Sequence, residues 1–276
     1  MRRWRLLVFT ALALALAAQQ PAPPPCPNCA AWNAPQAPFR VYGNTYYVGP
    51  QGLSSILITS PAGDILIDGD LAESAPQIAA HIRALGFRLS DVKLILNSHV
   101  HYDHAGGIAA LAKLTGARVA ASPWSAQVLR SGRPAADDPQ HDILLPIAPV
   151  PAVAEIHDGE TLRAGDLAIT AHFTPGHTPG GTSWTWRSCQ QGRCLDLVYA
   201  DSLTPVSAPG YRFSDHPALL AAFQRSFAWL RSVPCDILLT PHLGPHPQRD
   251  PQACRRLAAN SKQQLQKRLA TEADKP

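Results

Sequence analysis

Four metal-binding side chains fall within six residues in the run His99-Val100-His101-Tyr102-Asp103-His104, followed by Ala105-Gly106-Gly107. Imidazole nitrogens and carboxylate oxygens are good zinc ligands. An apolar core could not absorb four such groups, because each would need a polar partner. His99 and His101 alternate, so they can point to one side of an extended chain. Asp103 and His104 can then turn toward a neighbouring position. Two more histidines sit in tight loops after apolar runs: His177 in Thr174-Pro175-Gly176-His177-Thr178-Pro179-Gly180-Gly181, and His242 in Leu239-Thr240-Pro241-His242. Proline and glycine fix such loops and let backbone approach closely. Six donors of this kind are enough to hold a pair of metal ions.

His-x-His-x-Asp-His, Gly-His-Thr-Pro-Gly and the Pro-His at a strand end resemble the motifs of the metallo-β-lactamase superfamily. The likeness runs over most of residues 40–270. The stretches 97–107, Ala200-Asp201-Ser202-Leu203 and 234–242 are similar to the subclass B3 enzymes in particular. The resemblance implies an α/β protein, an αββα sandwich with the site at one edge. It implies two zinc ions per chain, one held by His99, His101 and His177 and the other by Asp103, His104 and His242. It implies zinc-dependent hydrolysis of the β-lactam amide by a metal-bound hydroxide, with Asp103 as the catalytic residue that orients it. By the same resemblance, Ser202 and Thr204 face the second zinc and contact the substrate carboxylate; serine is common at the second of these positions, so Thr204 is a departure. Gln140, in a polar loop over 130–141, is a candidate substrate contact, and Trp32 is a candidate lining residue. Asp201 is either a bridging carboxylate or a structural residue beside Ser202. The region just after Tyr199 holds no cysteine, unlike the subclass B1 pattern. The other activities open to this fold are thioester and lactone hydrolysis.

Serine chemistry has one foothold. Ser90-Asp91-Val92-Lys93 matches Ser-x-x-Lys, but it precedes a strand instead of opening a helix. Ser-Asp-Asn and Lys-Thr-Gly, its usual companions, are both missing from the sequence.

The elements that must position these residues can be read from periodicity. Residues 41–48 and 55–67 alternate or run apolar between turn signals, which predicts a meander of antiparallel strands. Ile78, Ile82 and Leu85 have helical spacing. Residues 92–96 predict a short buried strand running straight into Asn97-Ser98-His99, so the first motif lies on a loop at a sheet end. A helix over 108–114 ending at Gly116 and a strand over 118–121 follow. In the second half, 167–173, 182–186, 195–200 and 236–240 predict strands. Residues 217–231 predict an amphipathic helix, and 251–270 a polar C-terminal one. At least one of Trp184 and Trp186 belongs to the core. His81, His141, His157, His172, His216 and His246 read as surface or capping residues.

The N-terminus carries a different message. Arg2, Arg3 and Arg5 precede a run over 6–18 that is apolar apart from Thr10, with alanine at 13, 15, 17 and 18. This is the pattern of a cleaved signal peptide over 1–18. The run is short for a bilayer span of roughly 20 residues. Residues 19–39 then read as an extended, proline-rich segment and 40–276 as the metallo-β-lactamase domain. The formal charge is +4; without the three leader arginines it is +4 − 3 = +1, too small to argue for nucleic acid. The expected protein is a periplasmic monomer acting on a small molecule, with no membrane attachment once the leader is removed. Six cysteines fit an oxidising compartment. Proximity pairs Cys189 with Cys194 and Cys235 with Cys254. Cys26 and Cys29 either form a tight bridge or stay reduced.

Overall fold

The structure is a computed structural model, and it describes residues 26–242 and 247–274. The expected signal peptide and His246 lie outside the described residues. Seven strands form the first sheet in sequence order: β1 (Phe39–Tyr42), β2 (Thr45–Tyr47), β3 (Ile56–Ile58), β4 (Asp64–Ile67), β5 (Val92–Leu96), β6 (Arg118–Ala121) and β7 (Val153–Glu155). The expected antiparallel meander is β1 to β4, and β4 to β7 then run parallel. The second sheet contains β8 (Thr161–Ala164), β9 (Leu167–Phe173), β10 (Thr182–Gln190), β11 (Arg193–Tyr199) and β12 (Ile237–Leu239), in the order β12-β11-β10-β9-β8. Only its β11–β12 pair is parallel.

The helices are α1 (Cys29–Trp32), α2 (Ala75–Ala84), α3 (Tyr102–Ala105), α4 (Ile108–Thr115), α5 (Pro123–Ser131), α6 (Pro217–Ser232) and α7 (Ala253–Ala273). Side chains alternate across a strand, and that alternation builds the layers. Ile65 and Ile67 of β4 face inward, where Ile169, Trp184, Leu197 and Tyr199 of the second sheet meet them. Leu66, between them, faces outward onto α2 and α4. Val198 and Leu238 likewise pack outward against α6 and α7. Two sheets face each other with helices outside, which is the expected αββα sandwich. Both tryptophans are core: Trp184 donates Nε1 to Asn97 O at 3.2 Å, and Trp186 donates to Thr45 Oγ1 at 3.0 Å.

Some elements were not legible. Residues 123–131 form α5, so the expected loop over 130–141 begins at Gly132. Its start is set by Ser122, whose Oγ accepts from Ser125 N, with Pro123 in the first turn. Within the segment expected to be extended, α1 makes a single helical turn.

Cys189–Cys194 and Cys235–Cys254 pair as expected, and Cys26 pairs with Cys29. Cys235–Cys254 fastens the lead into β12 to α7. Three disulfides and no free cysteine among the described residues fit a secreted protein. No helix among the described residues is long and apolar enough to cross a membrane.

Candidate metal centre

The loop after β5 is shaped by Asp68, at the end of β4. Its Oδ1 accepts from Ser98 N at 2.7 Å, and its Oδ2 from Ser98 Oγ at 2.6 Å and Tyr199 OH at 2.7 Å. Asn97 Nδ2 reaches His99 O at 2.8 Å. Burial raises the Asp68 carboxyl to about 6, against the pull of His104 and these hydrogen bonds. The loops carrying Gly69 and Gly107 touch so closely that a Cβ at Gly107 would lie 2.2 Å from Gly69 O. Gly69 N donates to His104 O at 2.9 Å, which fixes the turn into α3.

His99, His101 and His177 form a triangle with ring centroids 4.7, 5.0 and 5.0 Å apart. Each ring has one nitrogen tied back. His99 Nδ1 donates to Asp201 Oδ1 at 2.7 Å, His101 Nε2 to Asp138 Oδ2 at 3.1 Å, and His177 Nδ1 to Thr204 O at 2.8 Å. Such partners fix ring orientation and tautomer at metal sites. His99 Nε2 is buried with no partner of its own. Burial holds His99 and His177 well below the usual histidine range, and the neighbouring histidines push the same way. They are therefore neutral imidazoles, the form that binds a metal.

Asp103, His104 and His242 make a second group. Asp103 Oδ2 lies 3.3 Å from Nε2 of both histidines, which are 3.2 Å from each other. Burial alone would raise the Asp103 carboxyl, but His104 and His242 hold it well below the usual carboxylate range. The two groups adjoin, with the His99 and His104 rings 4.4 Å apart. Within each group the three ligand atoms lie within 4.8 Å of one another. Buried imidazoles with an unpartnered nitrogen, carboxylates behind the rings and a nitrogen–oxygen donor set all fit zinc.

All six sequence-predicted ligands thus come together. Gln140 is brought to the site: its Nε2 donates to His177 Nε2 at 3.2 Å. Thr204 differs from expectation, because its carbonyl and its hydroxyl (3.2 Å) both meet His177 Nδ1 of the first group. Ser202 is half-buried beside Asp201. Trp32 stands next to His242, with ring centroids 5.2 Å apart. Lys93 Nζ binds Ser90 O, not its hydroxyl, and Ser90 is exposed, so no serine nucleophile is assembled there. Asp201 acts as a ring partner of His99. Asp138 and Asp68 were not foreseen as site residues; an acid at the end of a buried apolar strand was the available signal for Asp68.

These features define a metallohydrolase class: a two-layered sheet core with histidine and aspartate donors gathered on strand-end loops. The sequence profile of the metallo-beta-lactamase superfamily matches residues 48–227, and the chain belongs to that superfamily. Its fold matches MEM-A1, a subclass B3 metallo-beta-lactamase from a soil metagenome library, at 50% identity and TM-score 0.84, covering 89% of this chain and 100% of that one. It also matches the metallo-beta-lactamase MIM-1 of Novosphingobium pentaromativorans at 44% identity and TM-score 0.85, covering 88% and 93%. A hydroxyacylglutathione hydrolase of Rhodopseudomonas palustris is 35% identical over 183 residues, 66% of this chain and 59% of that protein. The match thus spans less than two thirds of that relative's length.

Proposed function

We propose that the chain is a two-zinc β-lactamase of the subclass B3 kind, exported to the periplasm and acting as a monomer on β-lactam antibiotics. The observation that carries this reading is the pair of adjoining ligand groups, His99/His101/His177 and Asp103/His104/His242, in a chain half identical to a subclass B3 enzyme along that enzyme's whole length. Zinc bound there would supply Lewis acidity and a water nucleophile at neutral pH. The chain's own residues do the rest. The ionised Asp103 carboxylate orients the nucleophile and accepts its hydrogen bond. Asp201, Asp138 and the Thr204 carbonyl accept from the three imidazoles and keep them aimed inward. Gln140 reaches the cleft beside His177 and Ser202 lies beside Asp201, where they can contact the substrate's polar groups.

The mature protein, assayed on penicillins, cephalosporins and carbapenems with and without a chelator, tests the reading. Chelator-sensitive opening of the lactam ring and two zinc ions per chain are expected. A second reading, thioester hydrolysis, is favoured by the similarity to the hydroxyacylglutathione hydrolase. Efficient cleavage of thioesters with every β-lactam left intact would put it first.

A further inference from the structure

The Cys26–Cys29 disulfide lies outside both ligand groups but close to the second. α1 is a four-residue turn with no buried residue. A helix that short does not stand alone. The disulfide closes the chain just before it. Outside the bridge, the turn is held by backbone contacts: Gly52 N donates to Trp32 O at 3.1 Å and Gln51 N to Ala34 O at 2.9 Å. Ser74 Oγ donates to Asn33 Oδ1 at 2.7 Å. A Cβ at Gly52 would lie 2.7 Å from Trp32 Cα, so the glycine permits this approach.

One end of the turn meets a ligand of the second group, and Cys26 before it meets a residue flanked by two ligands. Tyr102, between the ligands His101 and Asp103, donates its hydroxyl to Cys26 Sγ at 3.6 Å. Trp32, at the other end, sets its indole 5.2 Å from the His242 ring, tilted by 52°. His242 is the exposed ligand of its group, with 44% of its side chain accessible. The indole therefore packs beside the most exposed ligand among those described.

We propose that the Cys26–Cys29 disulfide is a positioning element for Trp32: the closed turn holds the indole against His242, where it walls the open edge of the second ligand group and offers an apolar face to aromatic substituents of the substrate. The substrate half of this inference rests on the β-lactamase reading; the wall itself does not. Losing an aromatic contact of this kind changes an affinity by up to about tenfold.

The test compares full mature chains carrying Cys26→Ser with Cys29→Ser, Trp32→Ala, Trp32→Phe, and the cysteine pair combined with Trp32→Ala. One readout is KM and kcat for a β-lactam with an aromatic side chain. The other is the rate at which a chelator extracts the first metal equivalent to leave. The serine pair and Trp32→Ala should each raise KM by about three- to tenfold with kcat changed far less. Both should speed extraction by a similar factor, and Trp32→Phe should restore both values. The combined variant should do no more than Trp32→Ala alone, because coupled residues are not additive. Wild-type KM and extraction rate in the serine pair, or effects that add fully in the combined variant, would overturn the proposal. A wild type inert toward every β-lactam would remove the substrate half, while the extraction arm would still decide the wall.

Discussion

The two ligand groups are built on different plans. In the first, His99, His101 and His177 are buried, and each is braced from behind by an acceptor 2.7 to 3.1 Å away. In the second, the three ligand atoms lie within hydrogen-bonding distance of each other, at 3.2 to 3.3 Å. His104 Nδ1 is buried without a partner, and His242 is partly exposed. Beside this group the backbone is strained: Asp68 and Asp70 hold left-handed φ of 61° and 53°. The braced group is preorganised for a tightly held ion. The open group, on the proposed reading, would leave an approach for substrate, and its donors lie within hydrogen-bonding distance of one another.

Removing a braced ligand should have the largest effect. His177→Ala should cost one metal equivalent and lower turnover more than about a hundredfold, beyond the usual effect of an outer partner. The fold should survive, as circular dichroism can check. Normal turnover with two metals bound would end the assignment.

Next in size is the brace itself. Asp201→Asn should weaken the metal of the first group by about 10- to 100-fold and leave the second nearly untouched. Competition with a graded series of chelators measures both affinities. Equal weakening of the two would erase the distinction between braced and open groups.

A smaller effect is expected at the rim. Ser202→Ala should raise KM for carboxylate-bearing β-lactams by about tenfold, the size of one lost polar contact to a charged group, with kcat changed less. Thr204→Val should do less, since the carbonyl that braces His177 remains. A larger effect from Thr204→Val would shift the substrate contact to that residue.

The mildest test is by pH, on metal-free protein. Burial holds His177 neutral in the folded chain, below its unfolded value of about 6.5. Its contribution is therefore complete above that pH and is lost as pH falls below it. The stability difference between wild type and His177→Ala should decline by up to about 1.4 kcal/mol per pH unit below 6.5. Urea unfolding across pH 5 to 8 reads this, and a difference that grows on acidification would contradict it. Asp201, raised to about 7 by burial, works in the opposite direction in both proteins, so it largely drops out of the difference.

The candidate ligands were legible because their grouping is local chemistry. Four of six donors sit within one six-residue run, and the other two follow apolar strands in proline-bound loops. Strand and helix periodicity gave the layers for the same reason: burial on one face writes a repeat into the chain. α5 escaped because its cap, Ser122 with Pro123, marks a start without a long apolar stripe behind it. β7 and β8 escaped because they carry few buried residues, Val153 in the one and Leu162 and Ala164 in the other, unlike the fully buried β2, β3 and β12.

What folding alone decided are the partners behind the ligands. His99 meets Asp201 across 102 residues, His101 meets Asp138 across 37, and His177 meets the Thr204 carbonyl across 27. Nothing in the spacing of those acids marks them, because a hydrogen bond over such a separation depends on where two sheets bring their strand ends. The same holds for Cys26 and Cys29. Their proximity in sequence allowed a bridge, but only the docking of α1 against Gly52 and His242 gave the bridge a place beside the metal centre. Side-chain chemistry determined which residues could bind a metal. The packing of the two sheets decided which nitrogens were left free to do so.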